Sequence, residues 1–417
     1  MDKKRKKTNI YKKSKYYKQQ RQRMLVIAGG AGILVLLLLI FLIVRMLSPE
    51  GKGASAASSD QSGTEIAEEN LTIETSEDSE AASDTATVSE PVSLTVSLTG
   101  DCTLGTDENF DYSTSLNAYY ESSGSAYFFQ NVRSIFEQDD LTIVNMEGTL
   151  TTSETREDKL YAFKADPSYV SILTDGSVEA ANLANNHSQD YGQQSLEDTK
   201  TALDGAGITH FGYDETAIID VKGVKVGLVG IYELYDHMER AQQLKDNIAK
   251  VKEEGAQLVI VSFHWGNEKE TVPDSNQTQL GHMAIDAGAD LVVGHHPHVL
   301  QGIEKYNGKY IVYSLGNFCF GGNSAPSDMD TMIFQQTFTI TSEGVQTDDN
   351  INIIPCRISS VYDYNNYQPT PCEDGEEKDR ILAKIQERSS AISDTMDFYF
   401  QNSSTLEDTD TADVYTE

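Results

Sequence analysis

The sequence predicts an α/β protein, and two patterns carry that reading. From residue 92 onward, short β-branched runs alternate with amphipathic helical stretches. At the carboxyl ends of five of those runs stand site-type polar residues: Asp101, Glu147, Asn186 with His187, His264, and the turn His295 to His298. Open α/β sheets gather ligands at that end of their strands, so one shared site explains the coincidence better than five unrelated turns.

The chain begins differently. Residues 1–24 hold eleven Lys/Arg against Asp2, a net charge of +10, so the remainder carries −43 within a total of −33. Leu25–Val44 follows, twenty residues without a charge, long enough to span a bilayer as a helix. The basic tail before it places the N-terminus in the cytoplasm and the body outside, as in a single-pass cell-membrane protein. A cleaved signal peptide is the rival reading, but its apolar region would be shorter, and no small-residue cleavage site directly follows Val44.

Residues 45–91 are rich in Ser, Thr and Glu, nearly devoid of large apolar side chains, and read as a disordered stalk. Residues 401–417 read as an acidic disordered tail. Between them the sequence predicts a main domain over 92–340 and a C-terminal extension over 341–400 packed on it. The acidic ectodomain argues against a nucleic-acid partner, and an anionic substrate would have to be held by metal ions. Four cysteines are few for a disulfide scaffold. Cys356 and Cys372 could pair, and Cys102 and Cys319 could be buried thiols.

Within the body, Val92–Leu98 alternates with period two and reads as the first strand, ending at Gly100-Asp101. Tyr127–Gln138 has helical spacing. Leu141–Val144 is a short buried strand running into Asn145-Met146-Glu147-Gly148. Val178–Leu183 leads to Asn185-Asn186-His187, a run poorly suited to a helix interior and well suited to a site loop. Ser195–Ala206 is an amphipathic helix closed by Gly207. Val224–Gly230 is a strand preceded by a hairpin turn at Lys222-Gly223, and a helix finishes over Ile248–Gly255. Leu258–Phe263 is a buried strand delivering His264-Trp265-Gly266, with Glu268 beyond. Gln279–Ala287 is helical, and Leu291–Val293 brings in Gly294-His295-His296-Pro297-His298. Tyr310–Leu315 is a strand ending in Gly316-Asn317-Phe318. Alternation around Thr331–Thr341 and Asn350–Pro355 predicts an antiparallel finish, and Asp379–Ser390 a last helix.

Carboxylate oxygen, amide oxygen and imidazole nitrogen together suit one or two divalent ions such as Mn, Zn, Fe or Mg. Two such ions a few ångströms apart orient a water and stabilise oxygens on a phosphoryl or acyl centre. Trp265, Glu268 and Asn317 read as site-wall residues. His210, His237 and His282 lie in helical or connecting sequence and read as structural.

These motifs, in this order over residues 92–340, resemble the CapA/PgsA family of poly-γ-glutamate capsule synthesis proteins, relatives of the calcineurin-like metallophosphoesterases. The resemblance implies a four-layer α/β/β/α metallophosphoesterase-like sandwich with a two-metal site. It implies Asp101 as a ligand of the first metal and Glu147 at a bridging position. Asn186 would be the amide ligand, His187 the neighbouring catalytic acid and His264 a further ligand. Two of His295, His296 and His298 would complete the set. The phosphoesterase Asp-x-His opening is absent, because Cys102-Thr103 follows Asp101, and Glu147 is longer than the usual Asp.

Three functions compete. One is an extracytoplasmic metal-dependent hydrolase or transferase acting on an anionic envelope polymer or its precursor. Another is a non-catalytic assembly subunit serving membrane-bound polymer synthase or export partners. A general phosphodiesterase follows from fold analogy alone.

Overall fold

The computed structural model describes residues 90–346, 349–396 and 399. The basic tail, the expected transmembrane helix, nearly all of the expected stalk and the acidic tail lie outside those residues. Among the described residues no helix is long and apolar enough to cross a membrane.

Val92–Thr103 (β1), Leu141–Met146 (β2), Ala180–Asn182 (β3) and Thr209–Phe211 (β4) form a parallel run. The chain then builds a second sheet from Ala217–Val221 (β5), Val224–Tyr232 (β6), Leu258–His264 (β7), Leu291–His295 (β8), Ile303–Tyr306 (β9) and Lys309–Val312 (β10). It returns to the first sheet with Asn317–Phe320 (β11), Asp330–Thr341 (β12) and Ile351–Arg357 (β13). The first sheet runs β13-β12-β1-β2-β3-β4, with β11 paired to the far end of β1. The second runs β9-β10-β8-β7-β6-β5.

The apolar faces of these strands explain the layering. Leu94, Val96 and Leu98 of β1 meet Val226, Leu228, Leu258, Ile260, Leu291 and Val293 of the second sheet in one buried core. A second core lies on the outer face of the first sheet. There Val144, Met146 and Ala181 pack with Leu196 and Leu203 of the helix Gln193–Ala206 (α1). A third covers the outer face of the second sheet, under Ala241–Glu253 (α2) and Ser275–Ala287 (α3). The order through the domain is therefore helix, sheet, sheet, helix. Glu376–Ser390 (α4) adds Ile381 and Ile385 to the inter-sheet core.

Local signals mark several boundaries. Gly207 closes α1 in the left-handed conformation. Asp274 and Gln277 form a capping box on α3, and Gly288 ends it. The antiparallel finish is present, with β12 antiparallel to both β1 and β13. One expectation fails: Tyr127–Gln138 is not a continuous helix. The segment is a 3-10 turn at Ser125–Tyr127, a loop, and a four-residue helix Arg133–Phe136. Phe128, Phe129, Val132 and Phe136 are all buried, and the adjacent Phe128 and Phe129 make that a demand one stripe of a regular helix meets poorly.

All four cysteines are free thiols. Cys356 packs in the outer core of the first sheet while Cys372 packs against the inter-sheet core, so the two face different layers.

Candidate metal centre

Strand parity and one irregularity build the site. β1 pairs with β12 over Val92–Leu98 and then with β11 at Asp101 and Thr103. Its register against β2 slips between Leu98 and Asp101. Simple alternation from Val96 and Leu98 would aim Cys102 between the sheets. The slip reverses this: Cys102 joins the outer core and Asp101 turns inward. Gly100 permits it, since a Cβ there would lie 2.3 Å from the Gly316 carbonyl oxygen. The Asp101 amide donates to that same oxygen at 2.9 Å.

In the second sheet, Val259, Val261, Phe263 and Trp265 face the outer core while Leu258 and Ile260 face the inter-sheet core. His264 therefore points inward. It lies in register with His295 on the neighbouring strand. Beyond β8 the chain turns hard: His296 has φ +93° and His298 φ +56°, conformations unusual for non-glycine residues. The turn brings the His296 ring to 4.8 Å from that of His264 and 5.5 Å from that of His298.

Two sets of donors converge, and Glu147 belongs to both. Glu147, His264 and His296 form one, and Asp101, Glu147 and His298 the other, with the ligand atoms of each within 4.8 Å of one another. Glu147 Oε1 lies 3.6 Å from His264 Nε2, 3.7 Å from His298 Nε2 and 3.9 Å from His187 Nε2. Asn186 Oδ1 is 2.7 Å from His264 Nε2, beside the first set. His295 belongs to neither set; its Nδ1 is 3.6 Å from Asp101 Oδ1.

Neighbours hold these side chains. Asp101 Oδ1 accepts from Asn145 Nδ2 at 2.8 Å, and Asp101 Oδ2 accepts from the His296 amide at 3.2 Å. His298 Nδ1 lies 3.2 Å from Asp101 Oδ2 and 2.9 Å from Asn317 Oδ1. His187 Nδ1 lies 2.7 Å from Asp190 Oδ2, and its ring centroid lies 4.5 Å from that of Phe163. Lys159 Nζ donates to Asp190 and to the Asn186 carbonyl oxygen.

Burial governs the protonation states. It pushes Glu147 well above the usual carboxylate range, with Asp101 and Asp190 adding to the rise against the opposing pull of His298. It lowers His295 to about 4 and His296 to about 3. His264 falls well below the usual imidazole value through burial and the surrounding imidazoles. His298 goes the other way: despite burial, the carboxylates of Glu147 and Asp101 raise it to about 10. Burial would raise Asp101 too, but the hydrogen bond and charge of His298 hold it below its ordinary value.

The residues present fit a divalent metal. Both oxygens of Glu147 and the Nδ1 atoms of His295 and His296 are buried without a hydrogen-bond partner, which is costly unless something else occupies their lone pairs. Neutral imidazoles, carboxylates and an amide oxygen are the donor chemistry of a borderline or hard cation. With His187 beside such a site, the arrangement suits activation and cleavage at an oxygen-rich centre.

The structure brings Asp101, Glu147, Asn186, His187, His264, His295, His296 and His298 into one cluster. Asn317 is there as the partner of His298. Glu268 is exposed on the loop after β7, close enough to act on His298 electrostatically. Trp265 is not a site wall: it is fully buried on the opposite face of its strand, where Nε1 donates to the Tyr313 carbonyl oxygen at 2.9 Å. His210, His237 and His282 pair with Asp204, Glu233 and Glu304 away from these donors. The candidate list lacked Asn145, Asp190 and Lys159. Asn145 was recoverable, because its parity matches the inward Leu141 and Ile143. Lys159 sits in an irregular stretch that carries no such signal.

The bacterial capsule synthesis protein family PGA_cap matches residues 95–322. The PGA biosynthesis protein CapA of Bacillus subtilis is 34% identical over 221 residues, which cover 48% of this chain and 58% of that protein. The capsule biosynthesis protein CapA of Bacillus anthracis is 31% identical over 253 residues, covering 54% of this chain and 60% of that one. A probable polyglutamine synthesis accessory protein of Mycobacterium tuberculosis is 28% identical over 258 residues, covering 53% and 67%. The match thus spans about three-fifths of the length of the two Bacillus relatives.

Proposed function

The chain belongs to the bacterial capsule synthesis protein family, and we propose that it serves the making or export of an anionic envelope polymer of the poly-γ-glutamate kind through a metal-dependent hydrolase-type site. The single observation carrying this is Glu147: both its oxygens are buried, unpaired and shared by two converging donor sets. The metallophosphoesterase-like character of the sandwich, its anchoring by Leu25–Val44 with the domain outside the cell, and membrane-bound synthase or export partners belong to the same proposal.

Asp101, Glu147 and His298 would hold one ion, and Glu147, Asn186, His264 and His296 the other. Ions so held supply Lewis acidity and an activated water near neutral pH. The chain's own residues do the rest. Asn145 and Asn317 fix the orientation of Asp101 and His298. Asp190, itself bound by Lys159, holds His187 by Nδ1 and leaves the Nε2 lone pair of the neutral ring directed at the Glu147 side, where it can take a proton from a water and pass it to a departing oxygen. Phe163 against the His187 ring limits its motion.

A second reading draws on the mycobacterial relative, described as an accessory protein: a subunit that positions polymer or partners and turns nothing over. Elemental analysis of the purified full chain separates the two. The hydrolase reading expects about one to two equivalents of transition metal, lost in His264→Ala. It also expects cells carrying Glu147→Gln to stop accumulating polymer. Metal-free protein after reconstitution with Mn, Zn or Fe would overturn that reading and leave the subunit.

A further inference from the structure

The two donor sets differ in what must be broken before an ion can enter. In the set of Glu147, His264 and His296, both carboxylate oxygens and His296 Nδ1 have no partner. Two competing bonds exist, both on His264, between Nε2 and Asn186 Oδ1 and between Nδ1 and Asn145 Nδ2, and each joins a neutral imidazole to a neutral amide. In the set of Asp101, Glu147 and His298, which shares that Glu147, the other two members are bonded to each other. His298 Nδ1 sits 3.2 Å from Asp101 Oδ2 and 2.9 Å from Asn317 Oδ1, while Asn145 occupies Asp101 Oδ1. An imidazole–carboxylate bond is charge-assisted and about twice as strong as a neutral one.

We propose that the two sets load in a fixed order: a first ion on Glu147, His264 and His296 beside Asn186, and a second only by displacing His298 from Asp101. This rests on the metal reading above and adds a consequence to it. The protein would pass through a state with one tightly held ion and one exchangeable position, so the concentration of free divalent cation would set whether the second position is filled. The extra charge-assisted bond alone is worth at least about tenfold in affinity.

The test is a calorimetric titration of Mn2+ into the chelator-stripped full chain in detergent, read beside electron paramagnetic resonance. The expected result is two binding events at least about tenfold apart in affinity. Spin coupling between ions should appear only after the second. His298→Ala and Asp101→Asn should each remove the weak event and keep the tight one. Two events of equal affinity, or loss of the tight event in Asp101→Asn, would overturn the order while leaving the metal site standing. No binding of Mn2+ or Zn2+ by the wild-type chain would overturn the metal reading itself. The wild-type titration needs no variant to decide the question.

Discussion

Asn145 of the first sheet reaches His264 of the second, Nδ2 to Nδ1 at 3.3 Å, while the same nitrogen donates to Asp101 Oδ1 at 2.8 Å. Its own oxygen accepts from Asn182 Nδ2 at 2.9 Å. One buried amide thus ties a member of each donor set to the other. Asn145→Leu has similar volume but leaves those partners buried without their bonds, at a cost of about 1–3 kcal/mol. Urea unfolding should register that loss, and metal affinity should fall with it. Unchanged stability would mean the amide bonds are not made in solution.

Gly294 is where the histidine turn meets the outer core. A Cβ there would lie 2.1 Å from the Tyr313 carbonyl oxygen and 2.3 Å from Trp265 Nε1, the two atoms that hydrogen-bond to each other. Gly294→Ala is therefore expected to cost about 1–3 kcal/mol through overpacking. It should also weaken metal binding, because His295 to His298 follow directly. A variant as stable as wild type with full metal content would contradict the packing described here.

What the sequence made legible was the part set by local pattern. Position at the carboxyl ends of buried strands singled out His264 and the turn that opens with His295, and the antiparallel finish was readable from its alternation. Asp101 was found only as a residue near a strand end. Its inward aim depends on a register slip against β2, which no period-two pattern encodes. The same limit left open which late histidines converge: the positive φ at His296 and His298 is imposed by tertiary packing and overrides simple alternation. Trp265 was misjudged although its parity with Val259, Val261 and Phe263 already pointed to the outer core. Asp190 and Lys159 act through contacts that chain order alone does not supply.

Trp265 is the only tryptophan in the chain, is fully buried, and stacks on Phe263 with ring centroids 4.2 Å apart. Its fluorescence should therefore be inaccessible to iodide in the folded protein and shift to longer wavelength on unfolding. Trp265→Ala should cost about 3–5 kcal/mol, as large-to-small core changes do. Trp265→Phe should cost less and retain full metal content, an outcome a site-wall residue would not give. Iodide quenching of the native protein would count against the burial.

Away from the metal centre, Glu179 and Asp139 flank the start of β2. Glu179 Oε2 accepts from the Thr142 amide at 2.8 Å and Asp139 Oδ2 from the Thr142 hydroxyl at 2.7 Å. Burial, reinforced by the charge of Asp139, raises Glu179 from its ordinary 4.5 to about 7. Burial raises Asp139 from 3.8 to about 6. The folded protein then holds protons that the unfolded chain has released. For such groups stability is complete below the unfolded value and is lost as pH rises through the folded one. The contribution of Glu179 should therefore decline between pH 4.5 and about 7. Glu179→Gln keeps the acceptor for Thr142 without the charge, so its melting temperature should fall less than that of wild type over this window. At higher pH the variant should be the more stable of the two. Parallel melting curves across the window would show that Glu179 ionises in the folded protein as it does in the unfolded chain.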